Sequence, residues 1–202
     1  MSIKKYLSFS AVMLALFVFA GTAAAQGTVL NTGSTFSTLT MTATVQTALN
    51  LEISTNTGLS GATVSGTAGS GAYTLGFGNV NGLGLGAPAT NITKTAGTAG
   101  YLYTTPITLT ASYSGFAPET ATISVHQPAA DGAAAVDMAR EGSSASIESA
   151  TLAATATSFN AAVTNGQAIT RYVGVFVHNA NAGATDEAGL RTMHVIYTIS
   201  VP

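Results

Sequence analysis

The stretch from position 39 to position 53 alternates between apolar and polar residues over fifteen positions. Strict alternation predicts a β-strand with one dry face and one wet face. A strand of this length would extend for about 50 Å, whereas ordinary strands have about 5–6 residues. The odd positions are apolar except for Thr47, and they are Leu39, Met41, Ala43, Val45, Leu49, Leu51 and Ile53.

Two interpretations of this length remain open. In the first, one strand bends at Thr47 and passes from one sheet of a sandwich to the other. In the second, residues 39–45 form an assembly strand that is donated to a neighbouring molecule, while residues 49–53 stay in their own sheet. Both interpretations place the change at Thr47, because it interrupts the apolar row.

The start of the chain has the pattern of a secretory leader. Lys4 and Lys5 precede the apolar run YLSFSAVMLALFVFAG, and Ala23 and Ala25 supply the small residues of a cleavage site. This pattern predicts a signal peptide over residues 1–25. A retained anchor is less favoured, because a membrane span needs about 20 apolar residues. The expected organisation is leader 1–25, N-terminal arm 26–37 and β-domain 38–202.

Composition excludes several function classes. Without the leader, four basic residues remain against eight acidic ones, a net charge of about −4. A negative chain does not fit nucleic acid or an anionic lipid surface, since both require a basic face. No further segment is apolar enough to predict a membrane span after cleavage. The chain has no cysteine, which excludes disulfides and cysteine-ligated metal sites.

The rest of the chain contains further strand patterns separated by turn residues. Strands are predicted near residues 62–65, 73–77, 101–115, 119–128, 145–159, 168–179 and 191–201, and a short helix is predicted over 130–144. Pro106 should lie at the start of its strand or at a sheet edge. The overall pattern predicts an all-β fold, namely a single antiparallel sandwich or barrel of seven to eight strands.

The end of the chain alternates as clearly as its beginning. A C-terminal strand is therefore predicted, and its inward positions are Met193, Val195, Tyr197, Ile199 and Val201. Chain ends are usually loose unless they are held in a sheet. This strand should accordingly be part of the core.

No pattern that carries catalytic chemistry is present. His126, His178 and His194 are far apart, with no HExxH spacing, and the GLGLG segment at 82–86 lacks the spacing and the helix of a dinucleotide loop. Lys94 lies in a polar segment, where it is not expected to form a cross-link. We therefore expect no enzyme activity and no cofactor. Weak calcium candidates are the oxygen-bearing residues Asn179, Asn181, Asp186 and Glu187.

Three features together resemble bacterial fimbrial subunits and the related spore-coat-U-like proteins. They are TATVQTALNLEIS at 42–54, the LGFG segment at 75–78, and Gly189 followed by the alternating C-terminal strand. Two departures are visible: Val201 stands where those subunits have a tyrosine, and their usual disulfide is missing. The resemblance covers most of the chain after the leader, although its motifs are short.

The resemblance implies an immunoglobulin-like sandwich and a structural role. Such subunits pass through the periplasm and form a pilus, filament or coat at the cell surface. They assemble by β-strand addition, in which an extended segment of one molecule completes the sheet of the next. The implied partners are copies of the same chain, a periplasmic chaperone and an outer-membrane assembly protein.

The alternative is a monomeric secreted module that binds carbohydrate or another surface. Carbohydrate sites commonly stack sugar rings on exposed aromatic side chains. The chain has no tryptophan. Tyr101 and Tyr103 are the aromatic residues that are expected to be most exposed.

Overall fold

The computed structural model describes residues 39–44, 46–115, 120–131, 137–179 and 189–201. The predicted leader, the N-terminal arm and Val45 lie outside the described residues. Two short 3-10 helices cover Thr57–Leu59 and Ala129–Asp131. The strands in the described part are β1 Ala48–Thr55, β2 Val64–Gly66, β3 Tyr73–Leu75, β4 Thr93–Ala96, β5 Gly100–Ser114, β6 Ala121–His126, β7 Ala139–Gly142, β8 Thr157–Val163, β9 Ala168–His178 and β10 Ile196–Ser200.

The first sheet is built around the long central strand β5. Its order is β1–β5–β9–β7, and every pairing is antiparallel. β4 and β1 share one edge of β5: β4 pairs with residues 101–104, and β1 pairs with residues 107–114. Residues 105 and 106 form the gap between the two partners.

Pro106 lies in the middle of β5 rather than at its start or at a sheet edge as predicted. A proline cannot donate a ladder hydrogen bond. Its carbonyl oxygen faces Gly61, which passes the gap between β4 and β1 so closely that a Cβ there would overlap the oxygen. The nitrogen of a strand residue points to the same side as its carbonyl. The missing donor of Pro106 therefore falls where no ladder partner needs it.

The second sheet has the order β10–β6–β8 and packs against the first. The core between them joins Ala111 and Tyr113 of β5 to Ala121 and Ile123 of β6 and Val163 of β8. All these residues are at most 5% exposed. The prediction of an all-β, antiparallel fold is confirmed.

The opening strand is shorter than the sequence pattern. β1 begins at Ala48, which pairs with Ser114, the last residue of β5. The strand starts there because its partner ends there and Gly115 turns away with a positive φ of 77°. Residues 39–44 belong to a separate unit of the chain and form no strand, so the interpretation of one bent strand over 39–53 is wrong for them.

The helix predicted over 130–144 is wrong at its C-terminal end. Residues Ala139–Gly142 form β7, which pairs with β9. Alanine-rich sequence favours a helix locally, but the edge of β9 provides ladder partners for this segment. β7 and the four-residue strand β4 raise the strand number of the described part to ten. No helix among the described residues is long and apolar enough to span a membrane.

Candidate functional site: an apolar groove beside an unpaired edge

An apolar groove of about 1090 Å³ lies over one half of the first sheet. Its floor is formed by inward-facing side chains of β1, β5 and β9, namely Ile53, Ile107, Val173, Val175 and Val177. These residues have odd numbers, and β1 and β9 pair with β5 so that odd residues lie opposite odd ones. They therefore share the inner face of the sheet.

The first wall of the groove runs from β3 into the loop that follows it. Tyr73, Leu75 and Phe77 alternate with exposed neighbours, so every second side chain turns into the groove. All three are only half-buried. Leu75 and Phe77 pack on the floor residues Ile107 and Val173. This wall keeps apolar surface in contact with solvent.

The second wall is the segment 189–195 together with Tyr197 of β10. Met193 and Val195 are half-buried, whereas Thr192 and His194 are exposed, which continues the alternation of β10 toward the N-terminus. Residues 192–195 nevertheless have no ladder partner in the described part of the chain. The segment has the side-chain pattern of a strand without the pairing of one.

A polar contact holds this unpaired segment in place. The backbone nitrogen of His194 donates to Oδ2 of Asp131 at 2.7 Å, and its ring Nδ1 lies 2.5 Å from Oδ1. Nε2 of the buried Gln127 donates to Oδ2 at 3.0 Å. Burial opposes ionisation of Asp131, but the hydrogen bonds from Gln127 and His194 and the charge of His194 outweigh it and lower its pKa. We call Asp131 and His194 the clasp.

A buried charged cluster lies beside the groove, inside the sandwich. Arg171 of β9 donates to both carboxylate oxygens of Glu141 on β7, at 2.6 and 2.8 Å. The hydroxyl of Tyr197 donates to Glu141 at 3.0 Å, and the Arg171 guanidinium lies 4.0 Å from the ring centre of Phe159 on β8. The cluster connects the first sheet, through β7 and β9, with the second sheet, through β8 and β10. Burial, the Glu141 charge and its hydrogen bond raise the pKa of Tyr197 well above its ordinary value.

The loop between Phe77 and Ala89 is held by hydrogen bonds and exposes two leucines to solvent. Oδ1 of Asn81 accepts from the backbone nitrogens of Leu83 and Leu85, each at 3.0 Å, and Nζ of Lys94 donates to the carbonyl of Gly84 at 2.5 Å. Leu83 is 62% exposed and Leu85 is 80% exposed. The GLGLG segment is thus a turn held by hydrogen bonds, and no helix follows it.

The sequence-predicted assembly residues fall in different parts of the structure. Leu39 and Met41 are 78% and 84% exposed, and Ala43 is exposed as well. Val45 is outside the described residues. Met193, Val195, Tyr197, Ile199 and Val201 are all half-buried, but the paired strand covers only Ile196–Ser200. The C-terminal segment therefore has a paired part, Ile196–Ser200, and an unpaired part before it. The alternation of the sequence is the same in both parts and does not distinguish them.

The other candidates are placed as follows. Among the calcium candidates only Asn179 is described, and its backbone nitrogen donates to Ala99 at 2.8 Å. Within the described ranges no three His, Asp or Glu side chains are grouped to hold a metal ion. Lys94 lies in β4 rather than in a polar loop.

The prediction that Tyr101 and Tyr103 are exposed is wrong. Tyr103 is 0% exposed, because its ring packs in a core cluster with Ala62, Ile92 and Met138 and its hydroxyl donates to the carbonyl of Asn81. The ring of Tyr101 is half-buried and covers Gly84. Neither residue offers the free ring face that sugar stacking requires.

The clasp and the buried charged cluster are the features that sequence reasoning missed. Asp131 and His194 are 63 positions apart, and Glu141 and Arg171 are 30 apart. One signal was present: Arg171 occupies an inward position in the alternating β9, where a charge needs a partner. The partner itself depends on the sheet order.

No protein-family model matches the chain, and neither does any curated protein or solved structure. The resemblance to fimbrial subunits therefore stays a prediction.

Proposed function

We propose that this chain is a secreted structural subunit that assembles into an extracellular filament, pilus or coat by β-strand addition. The observation that carries the proposal is the apolar groove of about 1090 Å³ next to an unpaired, strand-like wall. An added strand would bury the half-exposed apolar side chains and pair with backbone groups of residues 192–195 other than the His194 nitrogen, because this segment has no ladder partner in the described part of the chain. Peptide recognition at sheet edges uses these two contributions.

The proposed occupant of the groove is residues 39–45 of a second copy. Leu39, Met41 and Ala43 recur at every second position, so all three would project from one face of an added strand. They are exposed and belong to no strand in the structure. No charged side chain occurs between residues 26 and 51, so residues 39–45 would enter an apolar groove without desolvating an ionised side chain.

Head-to-tail strand addition produces an open polymer. Each copy carries one donor segment and one groove, and a contact of this kind that does not close into a ring extends into a filament. The leader predicted at residues 1–25 would bring the chain across the membrane first. Filling the groove would also cover an open edge, which is otherwise an aggregation hazard.

The test is assembly of the chain that begins at the predicted cleavage point. We expect filaments or sheets by electron microscopy and a high sedimentation coefficient. Met41→Glu should abolish assembly, because it places a charge in the apolar row, whereas the matched control Thr42→Glu should assemble normally. A Met41→Glu chain that still polymerises would exclude residues 39–45 as the donor.

A second matched pair tests the groove itself. Met193→Glu places a charge inside the groove, and Thr198→Glu places one on the exposed face of β10, at a residue that does not line the groove. We expect only Met193→Glu to stop assembly. Mixing Met41→Glu with Met193→Glu should produce limited heterodimers, because one chain keeps its groove and the other keeps its donor.

A further inference from the structure

We infer that Asp131 is a positioning residue that holds residues 192–195 in the extended geometry an added strand requires. This inference rests on the proposed function and concerns one wall of the groove. It assigns a role to a side chain that does not line the groove itself.

The contacts of Asp131 are suited to this task. One carboxylate oxygen accepts from the backbone nitrogen of His194, and the other contacts Nδ1 of its ring. Both the path of the chain and the direction of the side chain are therefore fixed. With His194 held outward, strand alternation turns Met193 and Val195 into the groove. The His194 nitrogen is engaged, and the added strand would have to pair through the other backbone groups of the segment.

Asp131 is itself anchored to the body of the sandwich. Gln127 donates to it at 3.0 Å, and the backbone nitrogen of Gln127 donates to Ala153 at 3.0 Å. Gln127 is 1% exposed and directly follows β6, the central strand of the second sheet. The path from this sheet to the wall is therefore Gln127, Asp131 and His194.

Pre-ordering of the wall would increase affinity by lowering the conformational entropy lost on binding. Without the clasp, residues 192–195 have no ladder partner in the described part to hold them extended. The expected effect of its loss is therefore weaker binding of the donor with the floor and the first wall intact.

The experiment uses the chain with Met41→Glu as a monomeric background and a synthetic peptide of residues 37–47 as the probe. Asp131→Ala should weaken peptide binding about tenfold or more through a faster off-rate. Hydrogen exchange of the amides at 190–195 should rise in the same variant. Asp131→Ala that binds the peptide as tightly as the background would overturn the inference.

Asp131→Asn tests the pH dependence of peptide binding, which a purely structural role of Asp131 would not change. Its amide can accept from the His194 nitrogen and donate to a neutral ring, but it cannot accept from a protonated one. A histidine changes charge between about pH 5 and pH 8. The variant should therefore match the background near pH 8 and bind about tenfold more weakly than the background near pH 5. Comparing the two chains at the same pH cancels the effect of His178, which also lines the groove.

The comparison at pH 5 and pH 8 is specific because few groups contact the Asp131 carboxylate. In the described part, His194 comes from the segment before β10 and the uncharged Gln127 amide comes from the end of β6. A pH-independent Asp131→Asn variant would overturn the inference even if Asp131→Ala fails to fold. A background chain that binds no peptide would instead reject the proposed function, and the inference with it.

Discussion

Arg171 donates two hydrogen bonds to the carboxylate of Glu141 inside the sandwich, where both residues are less than 10% exposed. A buried ion pair commonly stabilises no more than apolar residues of the same volume would, because both ions lose their water. Its geometry is nevertheless selective. Two parallel bonds fix the relative position of β7 and β9, and Tyr197 extends the same contact to β10 in the other sheet.

Breaking this pair from one side should be costly. Glu141→Ala leaves the Arg171 charge buried without its partner, and we expect a loss of about 3–5 kcal/mol in the free energy of unfolding. The double variant Glu141→Leu with Arg171→Met should be close to the original, since it removes both charges and keeps the volume. Urea denaturation gives both values. A mild effect of Glu141→Ala would mean that solvent reaches the pair.

Tyr197 predicts an alkaline limit to stability. The pKa of Tyr197 is raised in the folded state. Its contribution to the free energy of unfolding is therefore complete below the ordinary tyrosine pKa of about 10 and is lost as the pH rises from there toward the raised pKa. The unfolded chain then releases a proton that the folded chain retains. The stability difference between the original chain and Tyr197→Phe should shrink as the pH rises through that range. A constant difference would contradict the raised pKa.

Gly82 should not tolerate a side chain. A Cβ at this position would overlap the backbone carbonyl of His178, which β9 holds in place. We expect Gly82→Ala to cost about 1–3 kcal/mol in the free energy of unfolding. The matched control is Gly76→Ala, because no atom lies near the corresponding Cβ. Its effect should stay within about 0.5 kcal/mol in thermal or urea unfolding.

The loop between Phe77 and Ala89 should loosen when Asn81 loses its side-chain acceptor. Asn81→Ala removes two hydrogen bonds to Leu83 and Leu85, each worth about 1 kcal/mol. Hydrogen exchange at both amides should become faster. Asn81→Asp keeps the acceptor and should retain the protection. Leu83→Ser should leave stability unchanged, because that side chain is mostly exposed.

The strands were predictable wherever their own alternation is strong. The β10 region shows this, because its inward residues are apolar and less exposed than their neighbours, and so does β9, whose inward residues are apolar except for Arg171. The start of β1 was not predictable in this way. The apolar row continues back to Leu39, but a strand ends where its partner does, and the end of β5 at Ser114 is a property of a different segment.

The groove was only partly predictable. Alternation identifies Met193 and Val195 as inward-facing, and the structure places both against the groove. It does not reveal that this half of the row is unpaired, since pairing depends on β6 ending at His126, opposite Ile196. The clasp was hidden for the same reason: Asp131 meets His194 only after β6 and β10 are paired.

The shared edge of β5 has a consequence for how such a chain can diversify. Thr55 and Thr93 are held opposite Ile107 and Thr104, about 10 Å apart along one strand. The connection between them therefore leaves and rejoins the sheet at almost the same place, where length changes carry little entropic cost. It also supplies the first wall of the groove. Evolution can thus remodel that wall as an interchangeable cassette while the framework that carries it stays constant.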